Sequence, residues 1–143
     1  MTFDRQSGVF LHLTSLPGPH GIGDLGAGAH EFLDFLERAD QSLWQFCPVG
    51  PTTAVQGHSP YSSPSAFAGN SLLVDLHALA DRGWLRETEL DGPAAADRST
   101  VRYDAVAEFK RDRLRTAYER FDTQTADDVE RRAAFETFRE REG

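Results

Sequence analysis

From Gln41 to Val74 the chain carries no Asp, Glu, Lys or Arg. That run constrains the fold more than anything else in the sequence, because a surface helix displays charge along its outer face and these residues have none to display. It reads as buried strands and ligand-facing loops. The contrast lies further on: Arg86 to Gly143 holds 15 acids and 12 bases in 58 positions, the composition of solvated helices. A subdomain boundary is therefore expected near Arg86, separating 1–85 from 86–143.

A chain of 143 residues with ten Phe is large enough to bury a core and is compositionally globular. Its formal net charge is −8, and Lys110 is its only lysine. Polyanion binding rests on clustered Lys and Arg, so this balance disfavours nucleic acid, and no nucleic-acid partner is expected. Cys47 is the single cysteine, which rules out a disulfide framework and suggests a reducing compartment. MTFDRQSG has an early acid and no long apolar core, so no signal peptide is expected. Nor does any run reach the roughly 20 apolar residues of a membrane span. These features predict a soluble, cytoplasmic protein.

Val9-Phe10-Leu11-His12-Leu13, ended by the turn-rich TSLPGPHG, reads as a buried strand. Ala29, Phe32, Leu33, Leu36 and Ala39 recur at helical spacing opposite Glu31, Asp34, Glu37 and Arg38, predicting an amphipathic helix. Leu43 to Cys47, before Pro48-Val49-Gly50-Pro51, reads as a second buried strand. Ser71 to Leu76 leads into HALADRGWL, a short helix that Asp75 caps and Gly83 ends. The order is that of a βαβ unit with a parallel sheet and ligand sites in the loops after the strands. Beyond Arg86, ELDGPAAADRSTVRY reads as linker. Asp104–Phe121 is a predicted helix burying Val106, Phe109, Leu114, Ala117 and Phe121, and Asp127–Arg141 another, with Val129, Phe135 and Phe138 apolar.

Gly21-Ile22-Gly23-Asp24-Leu25-Gly26 matches G-x-G-x-x-G, the pattern that cradles a dinucleotide pyrophosphate at a helix N-terminus. Its context does not fit. TSLPGPH separates it from the first strand, and no acid for the ribose stands at the end of the second, where Phe46, Cys47 and Pro48 occur. The motif reads as a tight turn in which Asp24 holds local amides. No cofactor and no metal are expected.

Within the uncharged run, GHSPYSSPSAFAGN offers hydroxyls, one amide, one imidazole and two aromatic rings. Such groups donate and accept hydrogen bonds without imposing a field, and a ring can cover the C–H face of a sugar. Prolines stiffen the loop and lower the ordering cost of closing on a ligand. The chemistry suits a neutral polyhydroxy ligand. The competing reading is a plain surface loop whose Tyr61 and Phe67 plug into the core.

In order along the chain, SGVFLHLTSLPGPHGIGDLG, LWQFCPVGPT, GHSPYSSPSAFAGNSLLVDL and FKRDRLRTAYERF resemble the N-terminal part of the 4-α-glucanotransferase family, also called amylomaltase or disproportionating enzyme. The resemblance is tightest from Ser7 to Leu76. It implies an α/β fold, the first units of a (β/α)₈ TIM-type barrel followed by a mostly helical inserted subdomain. It further implies transfer of α-1,4-glucan segments to the 4-hydroxyl of an acceptor by a retaining double displacement. The nucleophile and the general acid/base of that reaction stand about 5 Å apart. In the family both carboxylates come from later strands, so no catalytic residue is expected in this chain and it should be inactive alone. By the same resemblance Tyr61 lies against the sugar next to the scissile bond and Ser59 beside it, while His12 and Asn70 either touch substrate or brace loops. Asp24 and Asp75 do not replace the missing acids, since a turn and an N-cap explain them. α-Glucans or maltooligosaccharides are the expected partners, and an incomplete barrel should tend to self-associate. The alternative is a non-catalytic α-glucan-binding module.

Overall fold

The structure is a computed structural model that describes residues 5–92 and 100–142. Strand β1 (Gly8–Phe10) pairs in parallel with β2 (Leu43–Gln45), with Gly8 opposite Leu43, Val9 opposite Trp44 and Phe10 opposite Gln45. Helix α1 (Ala27–Arg38) makes the crossover between them, as the βαβ reading requires. One bond continues the ladder at each end, from Ser42 N–H to Ser7 O (3.0 Å) and from Leu11 N–H to Gln45 O (2.9 Å).

Both strands are shorter than expected. Leu13–Ser15 is a 3₁₀ turn, and the carbonyl of Thr14 accepts from Gly23 N–H (3.2 Å) instead of from a neighbouring strand. A Cβ at Gly23 would stand 2.1 Å from Leu13 O, so this close approach of turn to strand end requires glycine. β2 ends at Gln45, ahead of Pro48, which has no N–H to donate to a ladder. The strands are also less buried than expected, with the Phe10 and Leu43 side chains about half exposed or more. α1 covers one face: Trp44 meets Phe32 edge-on (4.9 Å) above a core of Leu13, Leu16, Ala29 and Leu73. No second layer covers Phe10 and Leu43 among the described residues. On α1 itself Ala29 and Leu36 are buried and Phe32 is partly so, whereas Leu33 faces out.

Helix α2 (Leu76–Asp81) begins and ends where the sequence indicates. Asp75 Oδ1 accepts from His77 N–H (2.9 Å), and Gly83 takes a left-handed φ of +75° that closes the C-terminus through Trp84 N–H to Leu79 O (3.0 Å). Helix α3 (Tyr103–Gln124) buries Val106 and Ala117, with Phe109 and Leu114 partly covered. Phe121 packs edge-on against Trp84 (5.2 Å). Helix α4 (Val129–Glu142) has no buried residue: Phe135 meets Phe121 (5.1 Å), but Val129 and Phe138 point outward, contrary to the apolar face expected for them. Of the expected linker, residues 93–99 lie outside the described residues. Its flanks are packed, since Leu90 is buried beside Ala117 and Val101 packs on Ile22, Leu72 and Val106.

The tie between α3 and the N-terminal region runs through Lys110, which is 0% exposed. Its ammonium donates to Asp24 Oδ2 (2.7 Å), Leu72 O (2.8 Å) and Val74 O (2.8 Å), using all three of its protons. The other oxygen of Asp24 accepts from Gly26 N–H (3.1 Å). A buried charge is tolerated when it is paired and fully hydrogen-bonded, and this one is. Burial pushes the Lys110 pKa down and Asp24 opposes that shift.

Candidate functional site

The loop from Phe46 to Asn70 is fixed by its own short polar side chains. Ser63 Oγ lies 2.8 Å from Pro51 O and 2.7 Å from Ser65 O, close enough to share its one proton between them. Ser65 Oγ accepts from Phe67 N–H (3.2 Å) and Ala68 N–H (3.1 Å). At the loop's end Asn70 Oδ1 accepts from Leu72 N–H (3.0 Å), capping the 3₁₀ turn Ser71–Leu73, while Asn70 Nδ2 donates to Gly50 O (3.0 Å). Hydroxyls and an amide do here what charged residues do at many surfaces, and they leave the loop uncharged.

Between this loop and the end of β1 opens a narrow cleft. His12, Thr14, Thr52, His58, Asn70 and Tyr103 supply its polar lining, and prolines, leucines, Val49 and Gly50 supply the rest. His12 and Asn70, both singled out from the sequence, therefore meet at one place. His12 does not lie on a strand as expected: it is the extended residue before the Leu13–Ser15 turn. Its Nδ1 is buried with no hydrogen-bond partner, and burial lowers its pKa. The amide of Asn70 is engaged at both ends in holding the loop.

Tyr61 and Ser59 flank the cleft. Pro60 between them is part of its lining, Ser59 is half-buried, and Tyr61 is 74% exposed. The Tyr61 hydroxyl donates to Cys47 Sγ (3.5 Å), a contact that pushes the phenol pKa up. Phe67 is 99% exposed. The reading of these two rings as plugs into the core fails on those values, because both rings stand in water on a tied-down loop.

His58 and Tyr103 are the cleft residues that the sequence reading missed. The two rings stack at 4.8 Å and 14°, and the Tyr103 hydroxyl lies 3.0 Å from Thr14 Oγ1. His58 Nε2 sits 3.1 Å from Asp104 Oδ1, and its Nδ1 sits 3.2 Å from Thr52 Oγ1. With Nε2–H donated to the carboxylate, Nδ1 accepts the threonine proton. No sequence signal ties residue 58 to residues 103 and 104, which lie on opposite sides of the expected boundary.

The glycine-rich motif is spent on structure. The Asp24 carboxylate and the Leu25 amide are both engaged within the fold, the latter through Leu25 N–H to Leu73 O (3.0 Å). Asp24 and Asp75 both flank Gly26, whose hypothetical Cβ would stand 2.8 Å from Asp75 Cγ and 2.9 Å from Asp24 Oδ1. Each is committed, Asp24 to Lys110 and the Gly26 amide, Asp75 to the α2 cap. Among the described residues no three His, Cys, Asp or Glu side chains gather as a metal site, and no helix is long and apolar enough to cross a membrane.

Residues 11–143 match the family model described as 4-alpha-glucanotransferase. The chain is 44% identical to the 4-alpha-glucanotransferase of Thermus thermophilus over 142 residues, 99% of this chain and 27% of that protein. It is also 44% identical to that of Aquifex aeolicus over 117 residues, 82% of this chain and 24% of the other. A solved amylomaltase from Streptococcus agalactiae, in complex with acarbose, superposes with a TM-score of 0.80 at 35% identity, over 94% of this chain and 28% of that one. The chain thus spans about a quarter of the length of these curated relatives. The matched span takes in His12 at the turn after β1, the uncharged loop and the start of α3, whose Tyr103 lines the cleft; this chain belongs to the 4-alpha-glucanotransferase family.

Proposed function

We propose that the chain supplies the sugar-facing part of a 4-α-glucanotransferase: the first β/α units of a (β/α)₈ barrel in residues 1–85 and a helical subdomain in 86–143. The single observation that carries this reading is Tyr61, 74% exposed on a loop with no charged residue, beside the cleft that receives His12 and Asn70. An aromatic face and hydroxyl neighbours meet the C–H face and the hydroxyls of a glucose unit, and a pinned loop loses little entropy in doing so. That the Streptococcus amylomaltase is solved in complex with acarbose supports a sugar ligand for the family.

The reaction is a retaining double displacement. A carboxylate attacks the anomeric carbon while a carboxylic acid protonates the leaving oxygen, and the acceptor's 4-hydroxyl then displaces the carboxylate, delivering its proton to the same acid/base. Those two carboxylates are not Asp24 and Asp75; on this reading they come from strands beyond residue 143. Tyr61 holds the sugar at the scissile bond with Ser59 beside it, and His12 and Asn70 keep the cleft wall in place. The test is glucose release from maltotriose. The isolated chain should release none, a polypeptide continued through the following coding sequence should release it, and Tyr61→Ala in the longer polypeptide should remove most of that activity. Turnover by the isolated chain would refute the reading.

A further inference from the structure

We propose that His58 is a positioning residue for the sugar-facing loop, the point at which helix α3 sets where Ser59 and Tyr61 stand. The inference rests on the proposed function and adds to it a control residue from the charged half of the chain.

The backbone supplies the first observation. His58 has φ of +55°, in the left-handed region that costs an L-residue about 1–2 kcal/mol, and it directly follows Gly57 at +61°. A glycine would sit at position 58 without strain, yet the position holds a residue that must be paid for by its contacts. Those contacts come from three sides: Tyr103 beneath the ring, Asp104 at Nε2 and Thr52 at Nδ1. The side chain is 11% exposed although it belongs to a surface loop.

The second observation is where the contacts lead. Tyr103 and Asp104 open α3, and Lys110 anchors the same helix less than two turns further on. On the loop side the next residues are Ser59, Pro60 and Tyr61, where Ser62 N–H closes a turn on Ser59 O (3.2 Å). Proline allows little play between His58 and Tyr61. A rigid line therefore runs from the buried lysine through the first turn of α3 and the imidazole to the exposed tyrosine. Asp104 is 84% exposed, so its bond to His58 contributes little to global stability. Its effect is on the position of the loop, and ordering that loop in advance raises affinity.

The experiment is a calorimetric titration of maltoheptaose into the chain and its variants, with melting temperature and hydrogen exchange of the Ser62 amide followed in parallel. His58→Ala should weaken binding about fivefold to tenfold and speed Ser62 exchange, with the melting temperature nearly unchanged. Asp104→Ala should do the same, and Tyr103→Ala should weaken binding likewise while also lowering the melting temperature, because its ring packs on Ile22, Leu72 and Val106. Tyr103→Phe, which keeps the ring, and Asp104→Asn, which keeps an acceptor, should bind within twofold of wild type. If His58→Ala unfolds the chain, the exposed Asp104 pair of variants carries the test. Wild-type affinity in His58→Ala and Asp104→Ala, with Tyr61→Ala abolishing binding, would overturn the positioning role and leave the sugar site standing. No binding by wild type, or full binding by Tyr61→Ala, would overturn the sugar site and this inference with it.

Discussion

The junction at Lys110 and the loop around Tyr61 treat polarity in opposite ways. At the junction a full charge is taken out of water and every proton of its ammonium is met by an oxygen from a distant part of the chain. In the loop there is no charge at all, hydroxyls tie the backbone to itself, and two aromatic rings are left in solvent. A buried ion pair is intolerant of change, because removing one partner strands the other. That intolerance suits a joint whose geometry must not vary. A ligand surface for neutral sugars needs the reverse, donors and acceptors without a field, and a backbone that is already ordered.

The comparison breaks most visibly at the junction. Lys110→Ala leaves the Asp24 carboxylate buried and unpaired, which should cost about 3–5 kcal/mol in urea unfolding. Adding Asp24→Leu should recover part of that loss, since exchanging a buried pair for apolar groups is far milder than breaking it. Were the single variant to lose less than about 1 kcal/mol, Lys110 would be no anchor.

Asn70→Ala comes next, as the point where the loop is fastened. It removes the cap on Leu72 and the bond to Gly50 O, and should cost about 1–2 kcal/mol. By contrast Tyr61→Ala and Phe67→Ala should each change stability by less than about 0.5 kcal/mol, because neither ring is packed. A large loss from either would return the loop to an ordinary core-plugging role.

Acid should separate the two regions as well. His20 is 2% exposed, stacked on His77 (5.7 Å) and tilted against Phe109 (5.1 Å), with both ring nitrogens unpartnered. Burial first, then the charge of Lys110, lowers its pKa below the usual 6.5, with Asp24 and Asp75 opposing. The unfolded chain therefore takes up a proton that the folded one refuses. The stability this group confers is complete above pH 6.5 and drains as pH falls below it. His20→Phe should flatten that limb of the curve, read as urea midpoint between pH 7.5 and 5.5. His12 is also shifted down by burial and adds to the same limb.

Glu89 governs the lower range. Its two oxygens meet Arg120 at 2.6 and 2.7 Å, which holds its pKa at about 2 against an ordinary 4.5. That contribution is present above pH 4.5 and is lost as pH falls towards 2. Glu89→Gln should remove this acid limb while leaving the loop untouched.

What could be read in advance follows how local each signal is. The α2 cap at Asp75 and its stop at Gly83 depend on neighbours in sequence, and both stand where the residues indicate. The three long helices follow from apolar spacing to within a few residues at each end. Strand length was not legible, because the turn at Leu13–Ser15 is dictated by a carbonyl that Gly23 reaches from another segment. Lys110 falls on a helical face between Phe109 and charged arginines, and nothing nearby shows that three oxygens from residues 24, 72 and 74 converge on it. His58 is the same case within the site: its partners, residues 103 and 104, meet it only once α3 is docked. Tyr61 and Ser59 came from the motif and not from any rule of packing.

The central claim is that the uncharged loop presents Tyr61 to a glucan while the Lys110 junction holds still behind it. Side-chain and amide NMR of the chain during a maltoheptaose titration tests this most directly. Saturable shifts of the Tyr61 ring and the Ser59 amide are expected, with the amides of Gly26 and Val74 unmoved. A titration that leaves the Tyr61 ring unperturbed, or shifts Gly26 and Val74 instead, would contradict it.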